Sequence, residues 1–268
     1  MQTKAIITIV QNGNRFFPIW YKHYSKYFQP QDIYILNFGT TDGSLAGIQA
    51  NIIPIADHSV EIVHQGNKLL NEFKTDLLKK YTYVVYADYD EIIYYPGGFD
   101  ALLGSNQEYY TTRGYEIVQN RKMEGAIDWN RPILEQRKYW YRCESFDKSL
   151  ITKTDFTWAM GNHSISRQKV IEKKRRTGNG MEAGVSSRRV ENIVLKPKFV
   201  PDLVLLHLHK VDYNHALALH TSHANKKNSA TNGGFHNFFG GKEFEGWFKE
   251  AENKLVVIPE SLRNNRVV

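Results

Sequence analysis

The run Tyr83-Val84-Val85-Tyr86-Ala87-Asp88-Tyr89-Asp90-Glu91 is an apolar β-type segment that ends in three carboxylates within four residues. Like charges at the end of a buried strand repel one another and resist desolvation. A divalent cation relieves both problems. Mn²⁺ and Mg²⁺ take oxygen ligands and bridge such carboxylates to the phosphates of a nucleotide. In an extended chain, residues two apart face the same side, so Asp88 and Asp90 can approach one cation together. Glu91 then points away and serves the loop by accepting backbone hydrogen bonds. The competing reading is a strand that runs into a solvated acidic turn.

A second group lies far downstream, in Leu203-Val-Leu-Leu-His207-Leu-His209-Lys210-Val-Asp212. Imidazoles at i and i+2 near a strand end share a face, which suits metal ligation by His207 and His209. Lys210 beside them can neutralise a phosphate. A third group runs from Cys143-Glu144 through Lys148 and Lys153 to Gly161-Asn162-His163. Lysines on a strand facing a cleft stabilise a pyrophosphate leaving group, and a histidine after a Gly-Asn turn can meet a hydroxylated acceptor or move its proton. A surface strand with a turn histidine has the same pattern. His215, His220 and His223 read as surface or packing residues.

The elements that position these groups alternate. Ala5–Val10, Ile33–Leu36, Asn51–Ile55 and Tyr83–Ala87 are short apolar runs of buried-strand type. Phe16–Tyr27 and Lys68–Tyr81 carry helical periodicity, the second with Leu69, Leu70, Phe73, Leu77 and Leu78 on one face. Alternation of this kind implies a parallel sheet whose ligands bind at the carboxyl ends of its strands. Asn12-Gly13, Asn37 to Gly43 with Asp42, and Asp88 to Glu91 all lie at such ends, so they converge on one cleft. Beyond Gly97 the expectation is mixed strands at Glu108–Thr112, Glu116–Gln119, Ser149–Lys153 and Val200–His207. A loop is expected over Thr177–Arg189, a helix over Asp212–His223 with Asp212 as its N-cap, irregular chain over Asn225–Gly241 and a last helix over Lys242–Lys254.

At 268 residues, 41% hydrophobic and 13% aromatic, the chain is a folded protein with a sizeable core. The formal net charge of +7 suggests anionic partners, partly through the local runs Arg167–Arg176 and Arg188-Arg189, which read as solvated faces or loops. No zinc-finger spacing or RNA-recognition signature supports a nucleic-acid partner. The single cysteine, Cys143, allows no internal disulfide and fits a reducing compartment. No apolar run approaches the ~20 residues of a membrane span, and the N-terminus lacks a signal-peptide pattern. The expectation is a cytoplasmic protein with at most peripheral membrane contact.

Taken together, these residues resemble the family 2-like glycosyltransferases of GT-A fold, in the bacterial and viral branch whose metal motif is Asp-x-Asp-Glu. The opening Ile9-Val-Gln-Asn-Gly-Asn with Phe17-Pro-Ile-Trp-Tyr-Lys-His23-Tyr is similar to that family's start. Asn37-Phe-Gly-Thr-Thr-Asp42-Gly-Ser44 is similar to its Asp-Asn-Gly-Ser-Thr-Asp-Gly-Ser turn, and Tyr86-Ala-Asp-Tyr-Asp-Glu to its metal motif. Arg131–Arg137, Asp147-Lys148, Gly161–His163 and His207–Asp212 follow in the family's order, over roughly residues 5–220. Gly13 stands where the family has Glu, Asn37 and Phe38 replace an acid that often reads the base, and no Glu-Asp pair is found for an inverting base.

The resemblance implies an α/β fold, a GT-A mixed sheet flanked by helices in one domain over 1–268. Residues 1–100 are its nucleotide-sugar half, 101–223 complete the metal and acceptor side, and 224–268 extend it C-terminally. It implies transfer of a sugar from a nucleotide donor to a glycan or other hydroxyl acceptor. Asp90 binds Mn²⁺ or Mg²⁺, Asp88 holds the metal or the donor ribose, and His207 or His209 completes the shell. Asn12, Asn37, Asp42, Lys148 and Lys210 then contact the donor, and Asp212, His163 and Glu144 are the candidate proton acceptors. The rival reading is a metal-dependent hydrolase that uses the His-x-His-x-x-Asp run.

Overall fold

The first strand, Lys4–Val10 (β1), is apolar but for Lys4 and Thr8 because both of its faces are covered, and Ala5, Ile6, Ile7 and Val10 have no solvent exposure. The computed structural model describes residues 2–13, 15–55, 64–176, 182–225 and 241–264, with residues 64–65, 172–176, 182–188 and 222–225 described by backbone alone. After β1 come a helix at Phe17–Tyr24 (α1) and strands at Ile33–Asn37 (β2) and Asn51–Pro54 (β3). A helix at His64–Leu77 (α2) leads to strands at Tyr83–Tyr86 (β4) and Glu91–Tyr94 (β5). Parallel pairing of β3 with β2, β2 with β1 and β1 with β4 puts the ends of β1, β2 and β4 on one edge. Leu70 and Leu77 of α2 are buried in the core, with Leu69, Phe73 and Leu78 packed beside them.

A short helix at Gly98–Leu103 (α3) precedes Tyr109–Val118 (β6), a one-turn helix at Ile133–Gln136 (α4) and Tyr139–Arg142 (β7). Two-residue strands follow at Ile151–Thr152 (β8) and Thr157–Trp158 (β9), then Ile165–Arg176 (β10), Glu182–Val194 (β11) and Phe199–Lys210 (β12). The chain continues through Tyr213–Asn225 (α5), Gly241–Glu252 (α6), Val256–Val257 (β13) and Glu260–Asn264 (α7). The main sheet is mixed: β8 joins β4 to β6 by antiparallel pairs, and β12 lies between β5, to which it is antiparallel, and β6, to which it is parallel. One hydrophobic core runs from Ala5 to Leu262, and a small second cluster gathers Phe244, Phe248 and Ala251 of α6 against Val118 and Ala216.

Three sequence expectations need correction. The expected loop at Thr177–Arg189 is strand over residues 182–189, because β11 pairs with β10 as a long antiparallel ribbon, and residues 177–181 lie outside the described residues. The basic run Arg167–Arg176 is the other half of that ribbon. The two short strands expected at Glu108–Thr112 and Glu116–Gln119 are one continuous strand, β6, with Gly114 inside it. A Cβ at Gly114 would stand 2.4 Å from the carbonyl carbon of Phe146, so glycine is required by the close approach of a second segment and does not mark a break. The irregular chain expected over Asn225–Gly241 lies outside the described residues for 226–240.

Candidate active site

Strand register builds the centre. His207 of β12 lies directly opposite Glu91 of β5 on one side and Glu116 of β6 on the other. Directly opposite residues share a face of the sheet, so three polar side chains meet across three strands. Glu91 and Glu116 are each 1% exposed, and their charges must be balanced from within.

Glu116 turns to His207, whose Nδ1 lies 2.9 Å from Glu116 Oε1. That contact leaves His207 Nε2 facing Asp90 Oδ2 at 3.4 Å. Two residues on, His209 Nε2 lies 2.9 Å from His220 Nε2 of α5, which leaves His209 Nδ1 facing the same Asp90 oxygen at 3.8 Å. Each imidazole is therefore oriented by a partner on its other nitrogen, the usual way in which protein surroundings aim a metal-ligating histidine. Among the described residues, Asp90, His207 and His209 bring ligand atoms within 4.8 Å of one another. Their separations exceed the ~2.7–2.9 Å of a charge-assisted hydrogen bond. The three groups face a common point without closing on each other, and one carboxylate with two imidazoles fits a divalent transition metal better than Mg²⁺, which wants oxygen throughout.

The electrostatics follow from this enclosure. Burial works against a charge on His207, but Glu116 and Asp90 outweigh it and raise His207 well above its ordinary value. Burial would likewise raise Asp90; His207 and His209 instead hold it far below the carboxylate range. Glu116 is kept low by His207 and Lys210 against the effect of burial. A cation on His207 Nε2 would meet Asp90, while Glu116 stays on Nδ1 and balances the imidazole from behind. Phe146 stacks on His207 with ring centroids 4.1 Å apart, and its turn is the one seated on Gly114.

Asp88 belongs to a neighbouring group. Lys148 Nζ donates to Asp88 Oδ2 at 3.0 Å and to Glu91 Oε1 at 2.5 Å, and the Tyr86 hydroxyl donates to Asp88 Oδ1. Glu91 Oε2 accepts the backbone N–H of Asp88 at 3.3 Å, which ties the turn back on itself. Burial pushes Glu91 up to about 7 against the pull of Lys148. Lys148 is raised because Glu91 and Asp88 outweigh its own burial. The Asp88 side chain remains 37% exposed, so the donors that fix it leave one side open.

The loops after β1 and β2 are stitched together near this edge. Asn12, at φ 54°, accepts the Thr41 N–H on Oδ1 at 2.9 Å; Asn37 Oδ1 accepts the Thr40 N–H at 2.8 Å, and Asp42 Oδ1 accepts the Ser44 N–H at 3.0 Å. The bonds to Asn37 and Asp42 are local turn-forming bonds of the Asx type, whereas the one to Asn12 ties together two loops 29 residues apart in sequence. Gly13 lies under Tyr89, whose ring is 3.3 Å from where a Cβ would stand. Tyr89 is raised by burial and by the charges of Asp90, Asp88 and Asp42, which puts the Asp42 loop within reach of the acidic turn.

His163 follows Gly161 and Asn162, both at positive φ, and is exposed along one edge. Desolvation on its packed side, then the Lys148 ammonium, hold it below its ordinary value against the opposing charge of Asp88.

Three other residues stand elsewhere. Asp212 caps α5 by accepting the His215 N–H at 2.9 Å and also accepts the Ile127 N–H at 3.1 Å, with Arg137 Nη2 at 3.7 Å. Lys210 is buried: its Nζ donates to the Tyr141 hydroxyl at 3.2 Å, lies 3.7 Å from Glu116 Oε2 and sits 3.5 Å from the Trp247 ring centroid. Glu144 is exposed, and it shares with Lys210, Tyr141 and Trp247 the wall of a cavity of about 410 Å³ beside α6.

No family model matches the sequence, and no curated protein matches it. Solved structures do. Glucosyl-3-phosphoglycerate synthase from Mycobacterium tuberculosis, crystallised with Mn²⁺, UDP and glucosyl-3-phosphoglycerate, is 14% identical over 45% of this chain and 46% of its own, at TM-score 0.32. A candidate nucleotide-diphospho-sugar transferase from Desulfovibrio desulfuricans is 14% identical over 43% of this chain and 59% of its own, at TM-score 0.27. A candidate glucose-1-phosphate thymidylyltransferase from Bacillus anthracis, in complex with sucrose, is 16% identical over 56% and 68%, at 0.29. This chain spans about half the length of the first two. Overlaps this partial leave the chemistry to be argued from the site itself.

Sequence reasoning missed Glu116 and His220. Glu116 sat in an ordinary strand pattern, and His220 read as a surface or packing residue; it is completely buried and meets His209. The one available signal was a lone acid inside a β-type run. Replacing Glu116 with Gln should lower Mn²⁺ affinity about 10–100-fold, measured by titration calorimetry. Unchanged affinity would remove Glu116 from the site.

Proposed function

We propose that the protein is a metal-dependent glycosyltransferase that moves a sugar from a nucleotide-sugar donor to an acceptor hydroxyl, in polysaccharide or glycan biosynthesis. The observation that carries this reading is the convergence of Asp90, His207 and His209 at the strand-end edge where the Asn12, Asn37 and Asp42 turns also lie. Strand ends of a parallel sheet are where such folds bind nucleotides. A divalent cation held by these three residues supplies Lewis-acid stabilisation of the charge that develops on a departing diphosphate.

The chain's own groups divide the remaining work. Asp88, fixed by Tyr86 and Lys148 and open on one side, is placed to accept a ribose hydroxyl. Lys148 keeps the Asp88–Glu91 turn from repelling itself, so a diphosphate meets a centre whose carboxylates are already balanced. His163, neutral around neutral pH, is suited to take the acceptor hydroxyl's proton. The hydrolase reading is less well supported, since the aspartate of His-x-His-x-x-Asp is committed to capping α5 and to Ile127.

A thermal-shift screen tests the reading. Ligands that bind the folded state raise its apparent stability. With Mn²⁺ present, one among UDP-, GDP-, dTDP- and CMP-linked sugars should raise the melting temperature by several degrees, and EDTA should remove the rise. The absence of a shift with every nucleotide would overturn it.

A further inference from the structure

The ribbon formed by β10 and β11 is the least partnered part of the described structure. Strand β9 pairs with β10 only at Ile165 and Ser166; beyond them neither ribbon strand pairs with any third strand among the described residues. Its two strands hold eight Lys and Arg against three Glu, a net +5 of the chain's +7. Charged side chains along bare strand edges discourage pairing with other chains. That accounts for the charge but not for Val170, Val190 and Val194, which are 58%, 60% and 65% exposed.

Those valines share one face. Val170 stands directly opposite Val190, and Val194 lies four residues further along β11 on the same side. Arg167, Lys169 and Arg189 are exposed on the other face, which also carries Glu191, paired with Arg189, and the half-buried Ile171 and Ile193. A ribbon of two strands is only about 4.8 Å across between strand axes. Long Lys and Arg side chains reach around so narrow an element, keeping their heads at a polar boundary while the valines enter an apolar one.

We propose that this ribbon docks the protein on an anionic lipid bilayer, valine face toward the acyl boundary and basic side chains on the headgroups. Both signals are those of interfacial binding, apolar area together with attraction to anionic lipid. A second copy of the chain would bring two strongly positive ribbons together. A nucleic acid would leave the valines unused, and neither strand holds an aromatic side chain on which bases could stack.

Co-sedimentation with vesicles of phosphatidylcholine, with and without phosphatidylglycerol, tests this without any nucleotide present, so its outcome is independent of donor binding. Binding is expected only with phosphatidylglycerol and should weaken as salt rises. The triple change Arg167→Glu, Lys169→Glu and Arg189→Glu should weaken it about 100-fold or more, since each basic group near such a surface contributes roughly tenfold or less. Serine at Val170, Val190 and Val194 should weaken it about tenfold. Circular dichroism checks that both variants fold, and the salt dependence of the unaltered protein gives a second reading that needs no variant. Equal binding to neutral vesicles, or no binding to either, would overturn the proposal. So would serine variants that keep full vesicle binding while the protein binds heparin equally well, which would mark the ribbon as a surface for soluble polyanions.

Discussion

Replacing Asp90 with Ala should abolish Mn²⁺ binding in titration calorimetry and lower kcat/KM for sugar transfer by about 10³-fold or more. The magnitude follows from losing a Lewis acid that stabilises a departing diphosphate by several kcal/mol, at about 1.4 kcal/mol per factor of ten. Asp90 is the residue that both imidazoles face, at 3.4 and 3.8 Å, so its loss leaves two histidines with no shared anionic partner. His207 would keep Glu116 alone, and its raised affinity for a proton should fall accordingly. The comparison with Asp88→Asn separates the two aspartates. Asp88 lies outside the cluster of three, so its variant should keep Mn²⁺ binding and lose donor affinity. Mn²⁺ binding that survives in Asp90→Ala would sink this assignment of the metal ligands.

The largest effect on stability should come from Lys148. Its side chain is 6% exposed and bridges Glu91, 1% exposed, to Asp88. Lys148→Met keeps the volume and removes the charge, stranding the Glu91 carboxylate in the core. Breaking a buried pair from one side costs about 3–5 kcal/mol, read as a lower urea midpoint with unchanged slope. Adding Glu91→Gln should recover most of the loss, because the uncompensated charge causes it rather than the missing contact. The defect should also have a sign in pH. With Lys148 gone, only the weaker pull of His207 opposes the burial that raises Glu91, so the variant should be most stable where Glu91 is protonated and lose stability as pH rises through and above its ordinary carboxylate range. A flat pH profile would show that Glu91 finds another partner.

The parts of the site that were legible in sequence are those whose partners are local. Residues two apart on a strand share a face, so Asp88 with Asp90 and His207 with His209 announced themselves as pairs. Asp212 as an N-cap also followed from local pattern, and its carboxylate does accept the His215 N–H. Illegible were the assignments that depend on which strand lies beside which. Asp88 read as holding either the metal beside Asp90 or the donor ribose; Lys148 holds it with Glu91, while the two histidines face Asp90. Lys210, next in sequence to His209, goes to Tyr141 and Trp247, because β12 is irregular against β6 between His207 and Lys210 and strict alternation ends there.

By itself the sequence determined the alternation of strands and helices, the parallel pairing of the first half and the presence of acids and imidazoles at strand ends. Period and apolar run length are properties of a few consecutive residues, and they survive whatever the rest of the chain does. Only the tertiary structure decided that β12 enters between β5 and β6 and sets His207 opposite both Glu91 and Glu116. The same insertion brings His220 of the following helix against His209. Such partners are 91 residues apart for Glu116 and His207 and 57 for Glu91 and Lys148. No local pattern encodes pairings of that span, because strand order and register are fixed by what the whole sheet can bury.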